Sequence, residues 1–458
     1  MTALMKQNIR RITTVLVSSA MSAFATVQTV GNFSVLSMNT AGLPDFLQGN
    51  DVPGDKTENH RMIGAKFVEY GYDIINVQEL EFKLNLGQDF NYHAALYSTA
   101  SLPYRTPTSG GVPFGSGLNT LSRYSFTDTT RVKWNDCSNF GGADCLTPKG
   151  FTLVRVLLSS SPEGYAYVDV YNIHADAGVT NADLVARASN LRQLSEYIDN
   201  WSAGNAVIIA GDTNSRYTRV RDEIRILTRE NGMTDPWVEL IRDGVDPTEE
   251  TICANPTTLS YCETVDKMFY RSSPVLNLQA IGWSYESSRF LQPNGDILSD
   301  HNPIVATFSW SLPASLRQSE LYGGPHDTWF SDTGVLSRIF SPRISTIRFR
   351  GGSRLDAVSV AHVDGTSITH GGTGGRASEL KLTDGETWTE AKLCLGQRNN
   401  RTGVFAIKAR TSAGRTLTAG SSTEDCAEFV APGGWGIVGF VGGSGSEIDK
   451  LGFLFAPH

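Results

Sequence analysis

Residues 207–214 read Val-Ile-Ile-Ala-Gly-Asp-Thr-Asn, an apolar run that ends in a glycine followed by polar residues. Because the apolar residues follow one another without alternation, the run predicts a strand that is buried on both faces. Gly211 permits a tight exit from this strand, which would direct Asp212 and Asn214 into one pocket. Carboxylate and amide oxygens on a rigid edge suit a hard divalent cation and the phosphate that it polarises. A structural strand followed by a turn would use the same residues, so partners elsewhere in the chain must decide between the two interpretations.

The segments just before this strand have the order strand, then helix. Residues 181–201 carry apolar side chains at helical spacing and lead directly into the 207–214 run. An apolar strand predicted over 165–173 precedes the helix and ends at His174. This order is typical of a layered α/β body whose strand ends gather at one edge.

The same pattern occurs nearer the N terminus. A strand over 33–38 ends at Asn39, residues 59–72 have the spacing of a helix, and a second apolar strand over 73–78 ends at Glu79. Two more strands are therefore predicted to deliver an amide and a carboxylate to the same edge.

Downstream of residue 214, two further segments carry titratable groups beside predicted strands. Asp266 lies near the start of a strand over 265–270, and Asp300 and His301 precede a strand over 304–310. Any one of these polar residues is more often a cap or a structural hydrogen-bonding group than a ligand. Together they supply what metal-assisted phosphoester hydrolysis requires: cation ligands, phosphate-binding groups and a histidine as general acid or base.

In this order, the motifs resemble the endonuclease/exonuclease/phosphatase superfamily, which includes pancreatic deoxyribonuclease and the neutral sphingomyelinases. The resemblance covers roughly residues 31–310 and implies a four-layered α/β sandwich, with two packed mixed sheets flanked by helices. The segments that carry it are Ser37-Met38-Asn39, Val77-Gln78-Glu79, Ile173-His174-Ala175-Asp176-Ala177, Ala210-Gly211-Asp212-Thr213-Asn214, Val265-Asp266 and Ser299-Asp300-His301-Asn302-Pro303.

The resemblance implies a metal site. Glu79 resembles the principal ligand of a Mg²⁺ ion, or of another divalent cation such as Mn²⁺, with Asn39 beside it. Asp266 matches an acidic position ahead of a late core strand and is assigned to the same metal group.

The resemblance also implies the catalytic roles. His174 and Asn214 resemble the residues that stabilise the pentavalent phosphorus, and Asp212 resembles the carboxylate that orients the attacking water. Asp300 and His301 resemble the dyad whose histidine activates that water. The expected activity is that of a Mg²⁺-dependent phosphodiesterase.

Within the superfamily, two segments favour the secreted sphingomyelinases. Residues 137–151 resemble a segment of those enzymes that bears a Gly, an Asp and then Lys-Gly-Phe, and residues 187–197 resemble one of their helices. The long aromatic hairpin with which bacterial members touch membranes has only a shorter counterpart, within residues 276–300. The expected substrate is a phospholipid or sphingolipid head group, cleaved as by a phospholipase C.

Two alternatives remain. One is a secreted endonuclease or another phosphoesterase of the superfamily, but residues 26–320 contain 22 Lys and Arg against 34 Asp and Glu, a balance of −12 that disfavours nucleic acid as a partner. The other is a non-catalytic carbohydrate-binding lectin or toxin.

From residue 321 the composition changes. Of the 45 glycines in the chain, 23 lie in residues 321–458, between short alternating stretches that predict a separate all-β domain. This part resembles the jacalin-like lectins, whose fold is a β-prism. Gly323, Gly445 and Asp449 match positions that bind sugar in that family, although a prism used only for packing would look the same. The predicted domains are a catalytic domain over 26–312, a linker over 313–320 and the lectin domain.

The first 25 residues have basic residues, an apolar segment and an Ala-Phe-Ala end, which predict a secretory signal and an extracellular protein. No other stretch is long and apolar enough to predict a transmembrane segment. Six cysteines allow 15 pairings, and their spacing favours three local disulfides rather than a zinc site. The favoured pairs are Cys137 with Cys145, Cys253 with Cys262, and Cys394 with Cys426.

Overall fold

The structure, a computed structural model, describes residues 28–42, 52–80, 92–108, 116–139, 144–145 and 149–458. The predicted secretory signal lies outside these residues. The strands described up to residue 311 are β1 (Val30–Asn39), β2 (Ile74–Gln78), β3 (Tyr104–Arg105), β4 (Asn119–Ser122), β5 (Phe126–Lys133), β6 (Gly150–Ser161), β7 (Gly164–His174), β8 (Ala206–Asp212), β9 (Asp266–Arg271), β10 (Asn277–Tyr285) and β11 (Ile304–Ser311). The helices are α1 (Lys56–Glu69), α2 (Tyr92–Tyr97), α3 (Asn181–Trp201), α4 (Ile226–Arg229) and α5 (Pro236–Ile241), with a 3-10 turn at Ser287–Arg289.

These strands form two mixed sheets. The first sheet has six strands in the order β10-β11-β1-β2-β4-β3, and the second has five in the order β5-β6-β7-β8-β9. Each sheet contains one parallel pair, β1 with β2 and β7 with β8. Because parallel strands point the same way, the ends of β1 and β2 meet at one edge of their sheet, and so do the ends of β7 and β8.

The two sheets pack face to face around an apolar core. Phe33 and Ile74 from the first sheet and Val170 and Ile208 from the second are at most 1% exposed. Burying each such side chain contributes about 1.5–3 kcal/mol relative to leaving it in water. The run at residues 207–210 is buried on both faces, as its lack of alternation predicted.

Helices cover the outer face of each sheet. Ile63 and Phe67 of α1 pack on the first sheet, and Leu191 and Ile198 of α3 pack on the second. The order helix, sheet, sheet, helix confirms the predicted four-layered α/β sandwich. The bounds of α3 are those predicted, whereas α1 begins before the predicted residue 59, because the Asp55 side chain accepts a hydrogen bond from the Glu58 amide and caps the helix there.

The C-terminal part consists almost entirely of strands. They are β12 (Arg317–Gln318), β13 (Tyr322–Gly323), β14 (Thr328–Ser331), β15 (Ile344–Gly351), β16 (Leu355–His362), β17 (Ser367–Gly371), β18 (Arg376–Lys381), β19 (Trp388–Arg398), β20 (Arg401–Thr411), β21 (Thr416–Gly420), β22 (Cys426–Val430), β23 (Trp435–Ser444) and β24 (Ile448–Pro457), with one short helix, α6 (Thr333–Leu336). They form three sheets around one core, in the orders β17-β16-β15-β18, β21-β20-β19-β22 and β12-β24-β23-β14, with β13 added beside β24. This is the predicted β-prism.

An aromatic cluster fills the prism. The fully buried Trp388 makes edge-on contacts with Phe349, Phe440 and Phe453, whose ring centroids lie 5.7 to 5.8 Å away. Edge-to-face packing at this distance contributes about 0.5–1.5 kcal/mol per pair beyond burial. The prism thus has a core of its own, separate from that of the sandwich.

The segment predicted as a linker is partly structured. Within residues 313–320, β12 pairs with β24, so part of that segment belongs to a sheet of the prism. The structure also joins the three cysteine pairs that the spacing favoured. No helix in the described ranges is long and apolar enough to span a membrane.

Candidate active site

Strand ends from both sheets bring the predicted residues together. In the second sheet, His174 at the end of β7 is in register with Asp212 at the end of β8, and Asp212 is in turn paired with Asp266 at the start of β9. In the first sheet, Asn39 ends β1, and Glu79 follows the last residue of β2.

Asn39 connects the two sheets. Its Nδ2 donates a hydrogen bond to Glu79 Oε1 over 2.9 Å and another to Asp212 Oδ2 over 3.2 Å. Its Oδ1 accepts a hydrogen bond from the Ala41 amide over 3.0 Å. Asn39 therefore orients two carboxylates, and its Oδ1 keeps a second lone pair besides the one bonded to Ala41.

The backbone holds Glu79 in an uncommon conformation. Its φ of 54° lies in the left-handed region, which costs a non-glycine residue about 1–3 kcal/mol unless its surroundings hold it there. A Cβ added at Gly117 would lie 2.7 Å from the Glu79 Cα, and one at Gly42 would lie 1.9 Å from the Glu79 carbonyl oxygen. Two glycines are thus required for the close packing that fixes this carboxylate.

Gly211 has a different role from the one predicted. It does not adopt a positive φ, so the exit from β8 does not depend on glycine. Instead, a Cβ at this position would lie 2.2 Å from the Ile173 carbonyl oxygen on the neighbouring strand. The glycine allows β7 and β8 to lie close together, and so it sets the separation of His174 and Asp212.

His174 contacts carboxylates from both sheets. Its Nε2 lies 3.3 Å from Asp212 Oδ2 and 3.8 Å from Glu79 Oε1. Its backbone carbonyl accepts a hydrogen bond from the Trp134 indole over 2.7 Å. The imidazole is 2% exposed and lies at the centre of the site.

His301 is oriented by Asp266. Its Nδ1 is 2.8 Å from Asp266 Oδ2, and its Nε2 faces Asp212 Oδ2 at 3.9 Å. The partner of His301 is therefore Asp266, whereas the resemblance implied Asp300. Asp266 lies 35 residues before His301 in the chain, so no local pattern in the sequence identifies it as the partner.

The protonation states follow from this arrangement. Burial alone would raise the pKa of Asp212, but the imidazoles of His301 and His174 outweigh it and hold that pKa far below its usual range. Burial would lower the pKa of His301, yet the carboxylates around it raise that pKa well above its usual value. Burial raises the pKa of Asp266 and of Asp300. The site thus favours an ionised Asp212 beside a strongly basic His301.

The residues present fit a divalent cation. Asp266 Oδ1 and Asp300 Oδ1 are buried and have no hydrogen-bond partner among the described residues. The charge of Glu79 contributes to the raised pKa of Asp300. Asp212, Asp266 and His301 also have ligand atoms within 4.8 Å of one another. Hard oxygen donors in excess of the nearby positive charge are what Mg²⁺ or Mn²⁺ requires.

Asn214 lies at the site with its side chain already bonded. Its φ is 51°, its amide donates to Asp212 Oδ1 over 2.9 Å, and its Nδ2 donates to the Ala175 carbonyl over 3.0 Å. The arrangement fixes the turn after β8 and uses one of the two Nδ2 hydrogens.

One residue with an electrostatic effect on the site was not predicted from the sequence. Lys149 is 7% exposed, forms a 2.7 Å ion pair with Asp144, and contributes to the lowered pKa of Asp212. Its segment carries a family resemblance but no predicted site role. The signal that could have identified Lys149 in the sequence is its position just before a predicted apolar strand.

The three residues assigned to sugar binding also lie together. A Cβ at Gly323 would lie 2.2 Å from the Asp449 carbonyl oxygen, and one at Gly445 would lie 3.1 Å from the Asp327 carboxylate. Asp449 is 3% exposed, and its Oδ2 has no hydrogen-bond partner among the described residues. The loops thus form a compact polar site, with Asp327 as a member that the sequence did not indicate.

Comparison with known proteins gives two family matches. Residues 77–252 match the model of Endonuclease/Exonuclease/phosphatase family 2, and residues 319–454 match that of the Jacalin-like lectin domain. The sphingomyelinase of Mycobacterium tuberculosis is 36% identical over 290 residues, which are 61% of this chain and 53% of that protein. Horcolin of Hordeum vulgare is 29% identical over 121 residues, 25% of this chain and 83% of that protein.

Among solved structures, sphingomyelinase C of Streptomyces griseocarneus aligns with 60% of this chain and 99% of its own, at 19% identity and a TM-score of 0.40. The chain spans about half the length of the mycobacterial relatives that it matches.

Proposed function

Because the chain carries a domain of the endonuclease/exonuclease/phosphatase family followed by a jacalin-like lectin domain, we propose that it is a divalent-metal-dependent phosphodiesterase of the sphingomyelinase type. It hydrolyses the head-group phosphodiester of a sphingolipid or phospholipid by an activated water, in the manner of a phospholipase C. The observation that carries this proposal is the buried cluster of Asn39, Glu79, His174, Asp212 and the His301–Asp266 pair at adjoining strand ends.

Glu79 and Asp300 are the proposed metal ligands, since both are carboxylates and the second has a buried oxygen without a partner. The cation, Mg²⁺ or Mn²⁺, supplies charge that stabilises the phosphoryl oxygens when it is bound. Asn39 keeps Glu79 and Asp212 in place by donating to both.

The chain's own residues supply the proton chemistry. Asp212 is ionised and accepts a hydrogen bond from the attacking water, which fixes the direction of attack. Neutral His301 would take the proton of that water at Nε2, because Asp266 holds the ring by Nδ1 and stabilises the imidazolium that forms. The charge of a bound cation would oppose the carboxylates that raise the pKa of His301 and so would favour the neutral ring. His174 and Asn214 donate hydrogen bonds to the phosphoryl oxygens as their charge increases.

The lipid substrate is supported by the relatives named sphingomyelinase and by the acidic balance of −12 in residues 26–320. A nuclease would need to attract a polyanion, and an acidic surface opposes that attraction. The prism is proposed to concentrate the enzyme on glycan-bearing surfaces, which raises the local substrate concentration without changing the site.

A substrate panel tests the proposal. Sphingomyelin, an inositol-phosphoryl lipid and plasmid DNA are each incubated with the protein in Mg²⁺ and in EDTA. We expect lipid turnover in Mg²⁺, none in EDTA, and none for His301→Gln, while Asp243→Asn, a change at an exposed carboxylate, retains the wild-type rate. Nicking of DNA without lipid turnover would instead support the nuclease.

We also propose that the protein is extracellular, with a catalytic domain over 26–312 and a lectin domain over 321–458. Three disulfides support an oxidising compartment, since they are rare in reducing cytosol. Fractionation of the producing cells tests this, and protein confined to the cytosolic fraction would contradict it.

A further inference from the structure

A cleft lies between the sandwich and the prism, beside the loops assigned to sugar binding. It has a volume of about 80 Å³ and is lined from both sides, by Asp128, Thr129 and Trp201 of the sandwich and by His326, Asp327 and Lys450 of the prism. A water molecule occupies about 30 Å³ in the liquid, so the cleft holds roughly three waters that a polar ligand can displace.

Buried contacts between the two domains fix the width of the cleft. The Arg155 guanidinium stacks on the Trp329 ring at 3.7 Å, and the Trp329 indole donates a hydrogen bond to the Ala203 carbonyl over 3.1 Å. The Lys450 ammonium forms an ion pair with Asp128. A cation desolvated against an aromatic face is attracted to the ring, so these contacts favour one relative position of the domains.

An irregularity in strand β5 of the sandwich positions Asp128 for its contact with Lys450. Strand β5 has an irregular register against β6 between Thr127 and Thr130, and Asp128 within it has a φ of 54°. Bulges of this kind redirect a side chain and are common beside functional sites. Here Asp128 is directed to Arg155 and Lys450, and the exposed Thr129 lies next to it at the wall of the cleft.

The chemistry of the lining suits a neutral, polyhydroxylated ligand. Trp201 is 38% exposed and stacks on Tyr197 with ring centroids 5.6 Å apart, which leaves an indole surface for the apolar face of a sugar ring. Carboxylates, a hydroxyl and an imidazole surround it, so both donors and acceptors are available for sugar hydroxyls.

The prism side of the cleft is continuous with the sugar loops. Asp327 has a φ of 61°, accepts a hydrogen bond from Arg401 over 2.9 Å, and accepts another from the protonated carboxyl of Asp449. The Gly445 backbone approaches its carboxylate closely. Asp327 therefore belongs both to the loop site and to the cleft wall.

We propose that the sandwich completes the carbohydrate site of the prism. A glycan whose terminal ring is held by the loops at Gly445 and Asp449 places its next ring in the cleft, between residues 324–327 and the Trp201 and Thr129 side chains. The inference rests on the proposed lectin function and extends it: the intact chain selects oligosaccharides over single sugars, with part of the recognition supplied by the phosphodiesterase domain.

Calorimetric titration of the full chain tests the proposal. The probes are methyl α-mannoside, methyl galactoside, an α-linked mannotriose and a galactose-terminated trisaccharide. We expect the trisaccharide of the preferred sugar to bind about tenfold more tightly than its monosaccharide, as burial of roughly 50 Å² of indole would give. Trp201→Ala should remove most of this gain and leave monosaccharide binding unchanged, and Trp201→Phe should retain most of it.

A second variant distinguishes loss of the cleft from misfolding of the protein. Thr129 is exposed, so Thr129→Arg should fold normally, fill the cleft and abolish the trisaccharide gain, whereas Thr127→Arg, exposed on the same strand but outside the cleft, should bind as wild type. Hydrolysis of a soluble phosphodiester should be unchanged in all four variants.

A trisaccharide gain that survives both Thr129→Arg and Trp201→Ala would overturn the composite site while the lectin function stands. Absence of binding to all four sugars would refute the lectin function itself.

Discussion

Asp266 and Asp300 have different proposed roles, because it is Asp266 that holds His301. Asp266 has one carboxylate oxygen bound to His301, since its Oδ2 accepts the hydrogen bond from Nδ1, and among the described residues its Oδ1 and that of Asp300 are both buried without a partner. An oriented imidazole needs a carboxylate partner, whereas a cation needs a carboxylate oxygen that is not shared. We therefore expect substitutions of the two aspartates to change different kinetic parameters.

We therefore predict that Asp266→Asn lowers kcat about 10²–10⁴-fold with little change in the Mg²⁺ concentration needed for half activity, since it removes support for the imidazolium. Asp300→Asn should instead raise that Mg²⁺ requirement by at least tenfold. Steady-state rates over a Mg²⁺ titration separate the two effects, with Asp243→Asn as the control. Equal Mg²⁺ requirements in both variants would contradict the division.

A carboxyl pair in the prism should make stability depend on pH. Burial and the hydrogen bond with Asp327 raise the pKa of Asp449 to about 7, while the Arg401 charge opposes this rise. In the unfolded chain the carboxyl titrates near 4, so between about pH 4 and pH 7 the folded state binds a proton that the unfolded state releases. The free energy of unfolding therefore falls as pH rises through this window, by at most about 1.4 kcal/mol per pH unit for one proton.

We expect Asp449→Asn to reduce this slope, because the amide does not ionise. Thermal unfolding of the prism in both proteins at pH 4.5, 6 and 7.5 provides the measurement. If the variant and the wild type lose the same stability between pH 4.5 and 7.5, Asp449 does not carry the raised pKa.

The close approach of β7 and β8 fixes the separation of His174 and Asp212. Gly211→Ala would place a Cβ 2.2 Å from the Ile173 carbonyl oxygen and force the strands apart. We expect a loss of about 1–3 kcal/mol in the free energy of unfolding, as for other overpacked positions, and a fall in kcat as His174 and Asp212 separate.

Gly334 is the matched control, since a Cβ there would meet no atom within 4 Å and its φ is not positive. Gly334→Ala should leave both stability and kcat near the wild-type values. Chemical denaturation and steady-state kinetics on the two variants give the comparison. A Gly211→Ala protein as stable and active as Gly334→Ala would show that the strand separation is not critical.

The sequence predicted the elements far better than their contacts. The lack of alternation in residues 207–210 identified a doubly buried strand, and the spacing in residues 181–201 gave the helix bounds, because both signals are local. The contact of Asp266 with His301 joins residues 35 positions apart, and the packing role of Gly211 depends on the register of β7 with β8, so no local pattern records either. The Asp128 contact with Lys450 joins residues of two domains and was not foreseen for the same reason.

For the whole molecule, the domain interface should make the two cores unfold together. Trp329 lies between Arg155 and the Ala203 carbonyl and packs in an apolar cluster with Val275 of the sandwich and Leu454 of the prism. We predict that Trp329→Ala costs about 3–5 kcal/mol of interface stability and splits one calorimetric transition into two. Hydrolysis of a soluble phosphodiester should persist, since no residue of the active site contacts this ring. A single transition in the variant would contradict the coupling.

Attack on phosphorus by a water that His301 activates can be measured with isotopic oxygen. The protein is incubated with sphingomyelin in H₂¹⁸O, and the phosphomonoester product is analysed by mass spectrometry. We predict one ¹⁸O atom in the phosphorylcholine and none in the released ceramide, in Mg²⁺ but not in EDTA, and no product from His301→Gln. Label in the ceramide hydroxyl, or full turnover by folded His301→Gln, would contradict this mechanism.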